Sequence, residues 1–234
     1  MIRLYTWTTP NGRKASIMLE ECALAYRAHR IDIGKGEQFR PEFLAISPNN
    51  KIPAMVDHDP PGGGAPISLF ESGAMLLYLA EKTGRFIPTD LWGRMEVMKW
   101  LFWQVGGLGP IAGQIGHFNV YAPEKVPYAI ERYTKETNRL YGVLDRRLAD
   151  RAFVAGAYSI ADIACYPWIV PHAAHGQDLD DFPHLKRWFE TIAARPATIR
   201  AYEGTTDAYS RTGEPLSDEA RTVLFGQTAT SRQR

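Results

Sequence analysis

The chain has 234 residues, 45% of them hydrophobic and 12% aromatic, enough apolar side chain for one large core or two small ones. Its 27 basic and 26 acidic residues nearly cancel to a formal charge of +1, so no net field selects nucleic acid or an anionic membrane as main partner. The N-terminal MIRLYTW lacks the apolar run of a secretory leader, and no window approaches the roughly 20 apolar residues of a membrane span. A soluble, cytoplasmic protein with a small-molecule partner is expected.

Ile2 to Thr6 alternates apolar and polar residues and predicts a strand. Pro10-Asn11-Gly12 breaks it, and Ile17, Leu19, Cys22, Ala23 and Tyr26 recur at helical spacing, predicting a helix that begins near Gly12. Residues 29–33 (HRIDI) read as a second strand. A short helical turn in RPEFLAISPNN precedes a third strand after Pro53. DHDPPGGGAP is a turn-rich connector, and ISLFES a fourth strand that closes a hairpin with a long tip. SGAMLLYLAEKTG then predicts a helix with Ser72 as N-cap and Gly84 at its end.

Beyond RFIPTDLWG the pattern changes to long helices, over residues 95–105, 127–148, 160–171 and 185–194, with no convincing strand. The shift divides the chain into an α/β unit over residues 1–86, an all-helical unit over 87–203 and a polar tail over 204–234. The tail has little periodicity and is expected to be disordered or to lie as an arm along the surface.

The turn Thr8-Thr9-Pro10-Asn11-Gly12 joins strand to helix where many redox proteins keep Cys-x-x-Cys, yet it holds no cysteine. Thr9 and Asn11 offer hydrogen-bond donors beside a helix N-terminus, an arrangement that favours an anion. Locally, the same residues serve equally to make the turn and cap the helix. Tyr5 and Thr8 are rival hydroxyls. The two cysteines, Cys22 and Cys165, lie far apart in apolar helical patterns and read as buried thiols. Glu71 and Ser72, at a strand end and helix start, suit the ammonium and carboxylate of an amino-acid head, or simply a solvated charge and a cap. Ile52-Pro53 allows a cis bond that presents the Ile52 backbone to an extended peptide, or a trans proline opening a strand. GGLGP lacks the spacing and preceding strand of a nucleotide loop and suits close helix packing. His172 and His175 could share a helix face but have no third ligand nearby, so no metal is expected.

The segments NKIPAMVD, FESGAMLLYLAEK, YSIADIACYPWI and FPHLKRWFETIAARPA resemble the signature segments of the cytosolic glutathione transferase superfamily, over about residues 1–200. TPNGRK, GKGEQFRPEFL, LFESGA, WLFWQVGGLGP and PYAIERYTKET resemble its bacterial nu class. The resemblance implies an α/β thioredoxin-like N-terminal domain, an all-α C-terminal domain and a homodimer. It also implies reduction of small disulfides, with glutathione as co-substrate. Thr9 and Asn11 would hold the glutathione sulfur as thiolate, and Glu71 and Ser72 the γ-glutamyl end. Ile52, before a cis Pro53, would pair with the cysteinyl backbone. Gln38, with Lys51 in reach, would meet the glycyl carboxylate, and Arg132 a carboxylate across the cleft. Ser159 and Asp162 would form a capping box. Two rivals stand beside this reading. One is conjugation of glutathione to electrophiles, or reduction of organic peroxides, in a pocket walled by Phe102, Trp103, Ile115 and Phe118. The other is a non-catalytic regulatory protein that keeps the fold.

Overall fold

Strand β1 (Ile2–Thr6) occupies an inner position of a four-stranded sheet ordered β2-β1-β3-β4. It runs parallel to β2 (Tyr26–Arg30) and antiparallel to β3 (Ala54–Asp57), which pairs antiparallel with β4 (Ile67–Phe70). The fold is that of a computed structural model, which describes residues 1–204 and 216–228. Inner strand β3 is buried along its whole length, while β2 and β4 keep exposed positions as edge strands do. The second strand begins three residues earlier than the sequence pattern places it, with Tyr26 opposite Ile2. It stops at Arg30 because Asp32 caps the following 3-10 turn (Ile33–Lys35), accepting from the Gly34 amide at 3.1 Å.

Helix α1 (Pro10–Glu21) starts two residues before the expected Gly12. Thr9 is extended (φ −115°) and its Oγ1 accepts from the Gly12 amide at 3.2 Å, while Pro10 fills the first helical position, where no N–H is needed. In helix α3 (Ser72–Thr83) the N-cap position falls on Glu71, with no side-chain capping bond, and not on Ser72, which is its first residue and is buried. Gly84 ends it in the left-handed conformation, as the sequence predicts. Ile17 and Leu19 of α1 and Met75 and Leu79 of α3 share one core with Leu4 and Met55 of the sheet. Short helix α2 (Pro41–Leu44) carries Phe43 to the edge of the Tyr5 ring, which also stacks on His29 at 5.0 Å, so the rival hydroxyl Tyr5 is a packing residue.

From Leu91 to Tyr121 the chain stays helical. Helix α4 (Leu91–Trp103) passes through a π-turn (Gln104–Leu108) into α5 (Gly109–Gly116), which ends in a second π-turn (His117–Tyr121). A Cβ on Gly109 would lie 2.8 Å from Gln104 Nε2, so this glycine of GGLGP serves close packing; Gly106 and Gly107 face open space. Helices α6 (Pro127–Leu148), α7 (Ile160–Ile169), α8 (Pro183–Ala193) and α9 (Pro196–Tyr202) complete the helical half. Every residue of α7 is buried. The expected Ser159–Asp162 capping box is present, and Asp162 further accepts from the Val154 amide at 2.9 Å and Trp188 Nε1 at 2.8 Å.

The two halves meet where α1 packs on α7 and α9. Arg13 donates to the Ala201 carbonyl at 2.6 Å beneath the Tyr202 ring, and Arg195 grips both carboxylate oxygens of Glu21 at 2.6 and 2.9 Å. The region expected to be irregular contains helix α10 (Asp218–Phe225), capped by Ser217; residues 205–215 and 229–234 lie outside the described residues.

Candidate functional site

A cavity of about 1520 Å³ opens along the cleft between the halves. That exceeds the roughly 300–1,000 Å³ usual for one drug-sized ligand. Asn11 and Lys14 of α1 reach it together with Glu71 and Ser72 from the start of α3; Gln104, His117 and Trp168 face it from the helical half.

Asn11 is held in one orientation. Its Oδ1 accepts from Trp168 Nε1 at 3.0 Å, and an indole N–H can only donate. The acceptor end of the amide is therefore spent, and the Nδ2 donors are left for whatever occupies the cavity. Thr9 does not line the cavity; its oxygen accepts from the Gly12 amide. The paired role inferred for the turn thus divides: Thr9 shapes the helix start and Asn11 faces the ligand space.

Ser72 is buried at the α3 N-terminus, where free backbone N–H groups favour a carboxylate, with Glu71 beside it. Glu71 has φ of 68° and Asn50 φ of 50°; both non-glycine residues hold the strained left-handed side of backbone space, and both line the cavity. The Ile52-Pro53 bond is cis, directly after Lys51, which also lines the cavity.

Other expected residues stand elsewhere. Gln38 is buried and donates from Nε2 to the Ile33 carbonyl at 3.0 Å, so it braces its own loop instead of reaching the cavity. Arg132 does not line the cavity either; its guanidinium lies 3.7 Å from Glu136 on the α6 surface. Of the proposed electrophile wall, Phe102 points to solvent, Ile115 is buried, and neither they nor Trp103 and Phe118 line the space. Gln104 and Val105 of the first π-turn and His117 of the second line it instead.

Lys14 escaped the sequence reading. It is 1% exposed, with Nζ 2.5 Å from Gln104 Oε1 and 3.4 Å from Ser72 Oγ. Burial lowers its pKa to about 7, against an opposing pull from Cys165 and Glu71. The available signal was a lysine at the i−3 and i−4 positions of Ile17 and Met18, on the apolar face of α1. The α10 segment was also missed. Gln227 accepts from Asn50 Nδ2 at 3.0 Å, Phe225 lies edge-on to His117 at 4.6 Å, and Val223 to Gln227 line the mouth. Cys165 and Cys22 are buried, burial raises both thiol pKa values, and neither lines the cavity.

The family model for the glutathione S-transferase N-terminal domain matches residues 8–82, and that for the C-terminal domain residues 110–196. The chain is 58% identical over 202 residues to the disulfide-bond oxidoreductase YfcG of Escherichia coli K12, covering 86% of this chain and 94% of that one. A glutathione transferase family member from Pseudomonas fluorescens, solved with two glutathione bound, superposes with a TM-score of 0.81 at 46% identity, over 86% of this chain and 92% of the other. A Pseudomonas putida glutathione transferase, solved with one glutathione disulfide per subunit, gives a TM-score of 0.82 at 43% identity, over 88% of this chain and 92% of the other. With a four-stranded α/β half, a helical half and a cleft that meets both, the chain belongs to the glutathione S-transferase family.

Proposed function

We propose that the protein is a glutathione-dependent disulfide-bond reductase of the nu class, acting on small disulfides. The observation that carries this reading is the 58% identity to a disulfide-bond oxidoreductase over 94% of that protein's length. A cavity with no cysteine of its own supports it, because the reacting sulfur must then come with the ligand.

The chemistry runs in two exchanges. A glutathione thiolate attacks one sulfur of the substrate disulfide, forming a mixed disulfide and expelling one substrate thiolate. A second glutathione thiolate attacks the glutathione sulfur of that mixed disulfide, releasing the other thiolate and leaving glutathione disulfide. Two glutathione thiols supply the two electrons, and two protons end on the substrate thiols. Room for two tripeptides matters for this sequence, and neighbours solved with two glutathione or with glutathione disulfide agree with it.

In this reading Asn11 Nδ2 donates to the glutathione sulfur, and Thr9, with the start of α1, positions it. Glu71 and Ser72 take the γ-glutamyl end, the Ile52 backbone before cis Pro53 pairs with the cysteinyl part, and Lys51 meets the glycyl carboxylate. Gln38 acts by bracing the adjoining loop. Arg132 reaches a glutathione carboxylate only if the ligand extends to the α6 surface or a second subunit carries α6 to the cleft. A homodimer in the cytoplasm completes the proposal. Exposed Leu91, Trp92 and Met95 on α4, with Phe70 on edge strand β4, supply the apolar surface for a second copy.

Steady-state assays on one preparation, with a small dialkyl disulfide and with an aryl halide, test the reading. Efficient glutathione-dependent reduction of the disulfide with weak turnover of the halide is expected; the reverse order would assign the protein to conjugation. Asn11→Ala is expected to lower disulfide-reductase kcat/KM about tenfold to a hundredfold, the size of one lost hydrogen bond to an anion. Thr9→Ala is expected to lower it less, with a loss of about 1 kcal/mol in stability from the missing cap.

A further inference from the structure

Lys14 stands in an unusual position for a charged residue. It is buried on α1 with two neutral oxygens for partners, Gln104 Oε1 at 2.5 Å and Ser72 Oγ at 3.4 Å, and among the described residues it forms no ion pair. An ammonium removed from water without an anion is costly, so a protein gains nothing in stability by placing one there. The group does line the cavity, between the two residues that join its α/β and helical walls.

We propose that Lys14 is a positioning residue for glutathione: its ammonium, behind Ser72 and Gln104, is the counter-charge for the ligand anion, and it takes up a proton when that anion binds. The inference rests on the glutathione-binding reading and names a residue through which the site holds its ligand. The groups facing Lys14 can be named. From the start of α3 comes Glu71, from α7 the buried thiol of Cys165, and from the π-turn after α4 only the neutral Gln104; α9, also packed on α1, sends its charge, Arg200, to Glu20 instead. Among the described residues, Lys51 and His117 are the other basic groups lining the cavity. Burial lowers the Lys14 pKa to about 7, low enough for a large share of molecules to hold the neutral amine. A carboxylate at the α3 N-terminus changes that balance, because it adds a full negative charge close to Ser72 in a poorly screened space.

The test is calorimetric titration of the full-length protein with glutathione disulfide, which has no thiol to ionise, at pH 7.5 in two buffers of different ionisation enthalpy. Wild type is expected to take up roughly half a proton or more per site. Lys14→Met is expected to lose that uptake and to bind about tenfold more weakly, with KM for glutathione rising by a similar factor and kcat changing less. If Lys14→Met does not fold, Lys14→Gln, which keeps a polar group near Gln104, carries the comparison. Uptake that persists in the variant, assigning it to His117 or another group, overturns the proposal. So does wild-type binding without proton uptake, or undiminished affinity in the variant; in these cases the glutathione reading survives. Wild type that binds neither glutathione disulfide nor glutathione overturns both.

Discussion

Asn11 owes its orientation to a tryptophan 157 positions away in sequence, because Trp168 Nε1 occupies the amide oxygen and leaves the nitrogen for the cavity. Trp168→Phe removes that constraint while keeping an aromatic wall. Disulfide-reductase kcat/KM is expected to fall several-fold, with a smaller change in glutathione affinity, since the amide must then be ordered at each encounter. Lys14 makes a second residue-scale prediction. Its ordinary value in an unfolded chain is 10.5, and burial in the folded protein lowers this to about 7. Between these values the unfolded chain binds a proton that the folded chain does not. The resulting penalty is full below about pH 7 and is relieved as pH rises, by at most about 1.4 kcal/mol per unit. Lys14→Met should therefore be more stable than wild type at pH 7, and urea midpoints of the two should converge by pH 10. Neither contact could be read locally. A strand-turn-helix with Thr9 and Asn11 shows two donors, but which one faces a ligand depends on what the helical half brings against them.

The elements divide in the same way. Gly84 and Pro127–Leu148 follow from capping chemistry and period, the Ser159–Asp162 box from the family resemblance, and all three stand where they were expected. The π-turns at Gln104–Leu108 and His117–Tyr121 carry no comparable local signal, yet they supply Gln104, Val105 and His117 to the cavity wall. Helix α10 was hidden in a polar segment because its support is tertiary. It packs on the turn at Ile33–Lys35, and its apolar Val223 and Phe225 meet Gly36 and His117 across the cleft mouth. A chain ending at residue 204 should lose this wall. Faster exchange of bound glutathione disulfide is expected, with off-rates raised several-fold in stopped-flow measurements and a melting temperature changed by only a few degrees, because α10 buries no residue of its own core.

At the scale of the whole molecule, the halves are joined by α1, whose Arg13 and Glu21 are held by Ala201 and Arg195 near the chain's other end. This packing places the start of α1 under the cleft, where Asn11 and Lys14 line the cavity. Among the described residues no helix is long and apolar enough to cross a membrane. The exposed start of α4 is apolar, with Trp92 86% and Leu91 69% exposed. Trp92→Glu should therefore convert the proposed dimer to monomer in sedimentation velocity, since burying a side chain of this size contributes on the order of 2–3 kcal/mol per copy.

By itself the sequence determined the four strands, the main helices, the two-part architecture and the family, because these rest on periodicity, turn chemistry and motifs that are local in the chain. Only the tertiary structure decided that Asn11 faces the cavity while Thr9 caps, that Gln38 and Arg132 stand back from it, and that Lys14 and α10 belong to it. The reason is physical. A local pattern sets which backbone hydrogen bonds form, but the direction and charge of a side chain depend on partners supplied by distant segments. At this cleft those partners are Trp168, Gln104 and Gln227.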